Sequence, residues 1–352
     1  MRNRLVTLAA SAAVLAAAVP AGAQERFTVD GDRVAVYNLA GEVRVEAGSG
    51  SSVVVEVTRG GSDGSDLAIR RGESNGFRHL AVVYPEGDIV YPGRGRGDSR
   101  TTLDVRSDGT FGGDMGFRFG GRDRRTIRGS GRGTQAWADL RVRVPSGRTI
   151  AIHNAVGHID VANVNGKVVV RGHASAIETR GTRGGLDLDT GSGGITVADA
   201  TGDVHLDTGS GGVRVSSVRG GDLMVDTGSG GVTGGDLSVG TLHVDVGSGG
   251  VRLEGVAARH VNVDTGSGAV SLRLTGDADD VRIDTGSGGV TLGLPSSFGA
   301  DAEIDTGSGG IRVDFPATVR RSTRSHFSGS FGNGGGRLVI DTGSGGVSVV
   351  RN

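Results

Sequence analysis

The sequence predicts an all-β protein, a solenoid of 18–21-residue coils that follows an N-terminal β cap. Three observations predict this class. The motif Asp-Thr-Gly-Ser-Gly-Gly recurs through the second half of the chain, apolar and polar residues alternate on both sides of it, and 68 of the 352 residues are glycine. Glycine at this level is typical of disorder only when it has no period. Here it is periodic, so we expect a tight turn in every coil.

The aspartates of the motif measure the length of the repeat. They are separated by 18, 19, 19, 19, 20, 21 and 36 residues and stand at Asp189, Asp207, Asp226, Asp245, Asp264, Asp284, Asp305 and Asp341. The last step spans about two periods and contains the Gly- and Arg-rich stretch 320–337, where we expect a loop or hairpin to replace one coil. Weaker copies near His153 and Arg171 extend the repeat toward the N-terminus.

Apolar residues take fixed places in each copy, one and three residues before the aspartate and six and eight after it, with few exceptions. The residues between them are polar or mixed. A period of two is that of a strand with one buried face. One coil is too small to bury that face alone, so coils should stack with like residues above like, about 4.8 Å apart. The threonine of the motif shares the parity of the core and should point inward, while the aspartate points outward.

The chain divides into four predicted segments. Residues 1–23 are typical of a secretory signal peptide, with a basic start, a short apolar run and the small-residue cleavage site Ala21-Gly22-Ala23. Residues 24–85 alternate as strands do and form an N-terminal β region, either a cap or atypical first coils. Residues 86–135 are rich in Gly and Arg, and we expect a flexible, irregular insertion there. Residues 136–352 form the β-solenoid repeat domain.

Charge and cysteine content limit the partners and the kinds of site that the sequence predicts. With 38 basic and 39 acidic side chains the net charge is near zero, which does not favour nucleic acid or an anionic membrane as partner. The absence of cysteine excludes disulfides, thiolate metal sites and a lipid-modified N-terminal cysteine. No apolar run is long enough for a transmembrane segment. We expect an exported protein, in the periplasm, at the cell surface or outside the cell, that binds an envelope glycan or another surface protein. The sequence leaves the oligomeric state open.

Several of these features resemble one known family. They are the leader, the strand Leu-Arg-Val-Arg-Val-Pro-Ser-Gly at 140–147, the repeated Gly-Gly-[Val/Ile]-x-[Val/Leu] coils, and the segment 331–338 that leads into a final coil. The chain resembles the bacterial "putative adhesin" β-strand-repeat family, an exported domain of unknown function, over 140–352 and more loosely over 25–85. The resemblance implies a single-stranded, right-handed β-helix, and it supplies no catalytic residues.

The motif has a structural interpretation and three functional alternatives. As turn residues, the aspartates would accept hydrogen bonds from turn N–H groups, the glycines would supply positive φ, and the serine would tie one coil to the next. Asp-Thr-Gly-Ser also marks the catalytic dyad of pepsin-like proteases, but a dyad needs two facing copies and not one stacked column. A phosphate-cradling loop would need a helix N-terminus, and no helix is predicted. Calcium prefers oxygen ligands, and the candidate ligands are Asp189, Asp207, Asp226, Asp245, Asp264, Asp284 and Asp305.

Three further signals lie outside the motif. His205 and His243 are two coils apart, roughly 10 Å, which is too far for one zinc ion. The tetrapeptide Arg-Gly-Asp-Ser at 96–99 matches the integrin-binding tripeptide, in a run so rich in Arg, Gly and Asp that a chance match is expected. The arginines between 118 and 132 form either a solvated loop or a site for anionic polysaccharide or lipopolysaccharide.

The predicted function is that of an exported, non-enzymatic, adhesin-like structural or binding protein of the bacterial cell envelope. The sequence assigns no catalytic residue and no cofactor. One alternative is a polysaccharide-active β-helix enzyme, although such enzymes cluster acidic or basic residues in a groove. The other is a calcium-binding adhesion module. The last coil, which ends at 347–350, is expected at an open edge that needs a cap or a partner.

Overall fold

The computed structural model describes residues 24–94, 100–112 and 122–352. In these ranges the chain forms strands joined by turns, with two single-turn 3-10 helices at Gly64–Asp66 and Pro92–Arg94. The all-β prediction is confirmed for the described residues. The predicted signal peptide at 1–23 and the Arg-Gly-Asp-Ser tetrapeptide at 96–99 lie outside them.

The described ranges hold two groups of strands, before and within the repeats. The first group is β1 (Gln24–Val29), β2 (Arg33–Ala40), β3 (Val43–Gly48), β4 (Val53–Gly60), β5 (Ala68–Ser74), β6 (Phe77–Val83), β7 (Ile89–Val90), β8 (Arg100–Arg106), β9 (Arg122–Arg128) and β10 (Trp137–Pro145). The second group is β11 (Arg148–Ala162), β12 (Gly166–Arg180), β13 (Leu186–Thr190), β14 (Ile195–Thr201), β15 (Val204–Thr208), β16 (Val213–Arg219), β17 (Leu223–Thr227), β18 (Val232–Val246), β19 (Val251–Thr265), β20 (Val270–Leu274), β21 (Asp280–Thr285), β22 (Val290–Leu294), β23 (Ala300–Thr306), β24 (Ile311–Asp314), β25 (Ala317–Ser322), β26 (His326–Phe331), β27 (Gly336–Thr342) and β28 (Val347–Arg351).

The repeat strands pair in parallel from coil to coil and keep the register of the motif. On one side of the motif turn, β13, β15 and β17 stack so that Leu206 lies between Leu188 and Val225. On the other side, β14, β16 and the first half of β18 stack in the same way. β11 and β12 join this stack in the register predicted for the weaker copies at His153 and Arg171. The predicted stacking of like residues is confirmed.

The residues of inward parity form the core. The residues that precede the motif aspartates are at most 1% exposed: Leu188, Leu206, Val225, Val244, Val263, Ile283, Ile304 and Ile340. Burial of such a side chain contributes about 1.5–3 kcal/mol. The motif threonines are buried among them, as predicted, and the motif aspartates lie on the outer surface.

The coils at the C-terminal end do not stack in chain order. The last strands of the chain, β27 and β28, lie between the coil of β21 and β22 and the coil of β23 and β24. The hairpin of β25 and β26 extends the sheet beyond β23, which confirms the hairpin predicted in place of one coil. The expectation of an open edge at 347–350 is wrong, because both edges of β28 are paired.

The N-terminal region supplies one coil and a cap. β2 and β3 pair in parallel with β11 on one edge and with β6 and β10 on the other, so residues 33–48 form a coil inside the stack. Beyond this coil, β4 pairs antiparallel with both β1 and β10, and β5 pairs antiparallel with β6. The two alternatives predicted for this region, a cap and an atypical first coil, are therefore both present.

Part of the predicted irregular insertion is regular. β8 and β9 pair antiparallel, β7 pairs with β9, and the three strands form a separate sheet. Leu103, Val105 and Ile127 are buried. The prediction of an irregular loop is wrong for these described residues. A few apolar side chains at alternating positions suffice for a strand when a partner strand pairs with it.

The motif glycines are required by a close approach between coils and not by their backbone angles. None of the glycines in the eight motif copies has a left-handed φ, so the prediction of positive φ is wrong. A Cβ atom on Gly211 would lie 1.8 Å from the carbonyl oxygen of Gly193, and one on Gly230 would lie 1.8 Å from that of Gly211. The neighbouring Gly212 has more room, since its Cβ would lie 3.6 Å from the nearest atom. The first glycine of the turn is crowded too, since a Cβ on Gly209 would lie 2.6 Å from the Gly191 carbonyl oxygen. Two glycines in each turn therefore set the distance between coils, and the second makes the closer approach.

Replacing Gly211 with alanine should destabilise the protein by about 3 kcal/mol or more, because the new methyl group overlaps a backbone oxygen that cannot move aside. The matched control is Gly212→Ala in the same turn, which should cost less than about 1 kcal/mol. The free energy of unfolding from urea titrations measures both. Equal effects of the two substitutions would contradict the crowding argument.

Candidate functional site: an aspartate ladder

Register places the motif aspartates in one straight column on the outer surface. Neighbouring members pair across every strand junction from β13 to β23. In stacking order this aspartate ladder is Asp189, Asp207, Asp226, Asp245, Asp264, Asp284, Asp341 and Asp305. The structure thus brings together all the aspartates that the sequence offered as calcium ligands. It adds Asp341 between Asp284 and Asp305, at a spacing of about 4.8 Å per coil.

The threonine of the motif, and not the aspartate, holds the turn. Thr227 Oγ1 accepts a hydrogen bond from the Gly230 N–H at 3.1 Å and donates to the carbonyl oxygen of Gly211, in the preceding coil, at 3.2 Å. The same pair of bonds recurs at Thr208, Thr265, Thr285 and Thr306. A buried hydroxyl can form both bonds because it donates and accepts at once. The prediction that the aspartate accepts the turn N–H bonds is corrected. The predicted link between coils through the motif serine occurs, among the described residues, only at Ser192, whose Oγ lies 3.4 Å from the His173 carbonyl oxygen.

The carboxylates of the ladder are therefore not needed for the hydrogen bonds of the turn. From Asp207 to Asp341, the six inner members form no side-chain hydrogen bond or ion pair with the described residues. A basic side chain stands at each end instead. Arg171 takes the next place in the column, with its Nε 3.8 Å from Asp189, and His326 Nδ1 lies 2.8 Å from Asp305 Oδ1. The ladder is therefore a line of unpaired negative charge with a basic residue at either end.

The pKa values of the ladder reflect this arrangement. Partial burial raises the pKa of Asp226, and the charges of Asp207 and Asp245 raise it further. Burial and two ladder neighbours raise the pKa of Asp284 in the same way. Burial also raises the pKa of Asp189, although Arg171 opposes the shift. These three carboxylates are thus harder to ionise than an isolated aspartate, which is the behaviour of a surface that gains from a bound cation.

The profile of the Toastrack DUF4097 family matches residues 136–350, which is more than half of the chain and includes the whole ladder. The chain belongs to this family. The match confirms the resemblance to an adhesin-like repeat domain of unknown function. No curated protein matches the sequence.

One solved structure aligns with the Toastrack chain, a putative cell adhesion protein from Clostridium sporogenes. The alignment covers 94% of this chain and 100% of the other, with 9% sequence identity and a TM-score of 0.20. At this TM-score the likeness carries no argument about fold or function.

A cluster of aromatic and histidine side chains continues the ladder beyond Arg171. His153 takes the next place in the column and Tyr37 the one after it, and their rings stack at 4.3 Å. Phe111, which follows β8, packs edge-on against both rings and is also in contact with His173. The sequence pattern did not predict this cluster. The alignment of His153 with the motif aspartates could have placed part of it, but nothing local places Phe111 there.

Burial keeps the histidines of this cluster neutral. His153 Nδ1 and His79 Nδ1 are buried without a hydrogen-bond partner among the described residues. Burial, with the charge of Arg171, lowers the pKa of His153 to about 3. Burial also lowers the pKa of His79 and of His173. The cluster fastens the segment after β8 to the coil surface through apolar and stacking contacts.

The other predicted site residues do not converge. His205 and His243 lie two coils apart beside the ladder, and the Asn262 amide nitrogen is 3.0 Å from His243 Nδ1. Of the arginines between 118 and 132, Arg118 lies outside the described residues, Arg125 pairs with Asp123, and Arg128 pairs with Asp88. In the described ranges, no group of three or more His, Asp or Glu side chains is arranged to hold a metal ion.

Replacing a motif threonine with valine should destabilise the protein, and replacing the one motif valine with threonine should stabilise it. Thr227→Val leaves the Gly230 N–H and the Gly211 carbonyl without their partner in a buried site, which should cost about 1–3 kcal/mol. Val246→Thr places a hydroxyl where the repeat lacks one and should stabilise the protein by up to about 1 kcal/mol. Thermal unfolding of both variants tests this. A neutral Thr227→Val would show that the hydroxyl does not hold the turn.

Asp226→Asn should stabilise the protein at neutral pH by about 1 kcal/mol or less, since it removes repulsion from two neighbours. The folded-state pKa is raised, so the penalty is absent at low pH and appears as pH rises through that pKa. The gain should disappear near pH 3 and shrink at about 1 M salt. Asp280→Asn, outside the ladder, is the control. A gain that persists at low pH would contradict the electrostatic origin.

His153 should make the protein sensitive to acid. Its folded-state pKa lies near 3, whereas that of an unfolded histidine is about 6.5, so the unfolded chain takes up the proton first as pH falls. Stability should drop across this window, by on the order of 3 kcal/mol at about pH 4.5. His153→Phe should flatten the loss, whereas exposed His260→Phe should not. Identical pH profiles for the wild type and His153→Phe would refute this assignment.

Proposed function

We propose that this Toastrack protein is an exported, non-enzymatic, adhesin-like binding scaffold of the bacterial cell envelope, with the aspartate ladder as its binding face. The proposed scaffold is a single-stranded, right-handed β-helix over the repeats. The parallel pairing of successive coils supports the helix, and the signal-peptide pattern at 1–23 supports export. No helix among the described residues is long and apolar enough to cross a membrane.

The single observation that carries this proposal is the line of six unpaired carboxylates on a rigid core. A ligand with cationic groups at a similar spacing meets several carboxylates at once. Each contact is weak in water, but linked contacts raise the effective concentration of the next one and multiply the affinity. The ladder requires no rearrangement to bind, because the threonine and glycine of each turn fix its backbone.

The geometry of the ladder supports binding more than chemistry. Glycoside hydrolysis, the enzymatic alternative, uses two carboxylates that flank the scissile bond from different sides. The ladder carboxylates leave the surface side by side, one from each coil. Calcium is a possible ligand of adjacent carboxylates, but each ion takes 6–8 oxygens and a single column offers only its nearest neighbours.

Binding of a fluorescent decalysine peptide, followed by anisotropy at low and physiological salt, tests the ladder. The variant Asp226→Asn/Asp245→Asn/Asp264→Asn should weaken binding at least ~tenfold. The control Glu73→Gln/Glu86→Gln/Asp280→Asn removes the same charge from exposed positions outside the ladder. Equal weakening by both variants would mean that only net charge matters and would refute the ladder as the binding face.

Calcium is tested separately by the melting temperature with excess Ca²⁺ and with EDTA. A ligand that binds only the folded state raises the melting temperature by mass action. We expect a small shift. A large shift that the ladder variant abolishes would replace the cationic-ligand proposal with a calcium-dependent module.

A further inference from the structure

A second polar surface runs along six consecutive coils, at the corner that lies ten residues after His153, after Arg171 and after each motif aspartate from Asp189 to Asp245. The backbone is left-handed there in successive coils, at Asn163, Asp199, Ser217 and Asp236, with φ between 53° and 57°. Left-handed backbone favours short polar residues and glycine. Glycine takes the same place at Gly181 and Gly255. The corner therefore carries only small side chains, and it leaves a groove along the stack.

Two cavities lie in this groove. The first has a volume of about 320 Å³ and is lined by Asn163, Asn165, Arg183, Thr201, Ser217 and Arg219, among others. The second, of about 730 Å³, is lined by Gly234, Gly235, Asp236, Arg252 and Glu254, among others. Ser217 Oγ and Arg219 Nη2 of the first both donate to Asp236 Oδ2 of the second, at 2.8 and 3.0 Å. The two cavities are thus consecutive along the stack.

The floor of the second cavity carries no side chains at Gly234 and Gly235, and the reason is steric. Gly234 stands where other coils have leucine or valine, and a Cβ on it would lie 2.0 Å from the Val215 carbonyl oxygen. A Cβ on Gly235 would lie 2.6 Å from the Glu254 carbonyl oxygen. No other residue fits at these two places. At Gly235 the strand therefore presents backbone where the neighbouring coils carry Ser216 and Glu254.

The first cavity carries one column of donors. Parallel pairing aligns Asn165, Arg183, Thr201 and Arg219 in successive coils. Arg183 has no ion pair with a described residue. Arg219 forms an ion pair with Asp236 of the next coil. The two guanidinium groups are two coils apart, about 10 Å by strand spacing. Guanidinium groups bind carboxylates through two parallel hydrogen bonds. The Thr201 hydroxyl between them and the Asn165 amide, one coil before Arg183, can bind sugar hydroxyls.

We propose that this groove binds a linear acidic polysaccharide that lies along the coil stack. One uronate carboxylate meets Arg183 and a second, two sugar residues further along the polysaccharide, meets Arg219, because two coils span a distance similar to one disaccharide. A hydroxyl of the intervening sugar meets Thr201, and hydroxyls of the sugars at either end of this stretch meet Asn165 and Ser217. The chain then continues over the bare glycine floor of the second cavity. This site lies on a different column from the aspartate ladder and takes a ligand of opposite charge.

Affinity electrophoresis in polygalacturonate gels tests the proposal. Arg183→Gln/Arg219→Gln should weaken binding at least ~tenfold. The matched control Arg214→Gln/Arg337→Gln removes the same charge from exposed arginines outside the groove and should change binding less than ~twofold. Fully methyl-esterified polygalacturonate should not bind, because its carboxylates are blocked.

Three outcomes would contradict the proposal that the groove binds an acidic polysaccharide. They are no binding of polygalacturonate by the wild type, equal weakening by both arginine pairs, and equally tight binding of single-stranded polyuridylate. The ladder variant Asp226→Asn/Asp245→Asn/Asp264→Asn should bind polygalacturonate as well as the wild type does. The groove proposal and the ladder proposal are therefore tested with different variants and different probes, so that either one can fail without the other.

Discussion

The rest of the structure depends on how closely successive turns approach one another. In each motif turn a carbonyl oxygen occupies the space that a Cβ of the next coil would need, at 1.8 Å for the pair Gly193 and Gly211. Only glycine permits this approach. The buried threonine then joins the same two turns with a pair of hydrogen bonds. Contact and hydrogen bonds together fix one register, and a shift of one residue would turn every core side chain outward.

A fixed register converts a repeat along the chain into straight columns on the surface. The aspartate ladder is one such column, and the donor column through Arg183 and Arg219 is another. The ladder is electrostatically unfavourable, at somewhat under about 1 kcal/mol per neighbouring pair in water. The core side chains behind it contribute more, about 1.5–3 kcal/mol each. The stabilisation from core burial therefore exceeds the repulsion between the aspartates, and the protein can hold a line of like charge on its surface.

At both ends of the stack, segments interrupt the order of the chain. The first coil, of β2 and β3, and the last, of β27 and β28, lie inside the stack, so their strands pair on both edges. Antiparallel strands lie outside them, and the outer strand β25 carries exposed Arg320 and Arg321 with an irregular register between Val319 and Arg321. Charge and irregularity on an edge strand discourage pairing with another molecule.

The sequence by itself determined what depends on local period: coil length, the inward parity of threonine, the outward aspartates and the hairpin that replaces a coil. These follow because side chains alternate along any strand and because equivalent coils stack. Tertiary structure alone decided the order of the end coils, since near-identical coils offer near-identical edges and the pattern along one strand does not choose between them. It also decided the role of the glycines, the meeting of Phe111 with His153, and the groove at the left-handed corner. Each of these is a contact between residues far apart in the chain, made only after the coils have stacked.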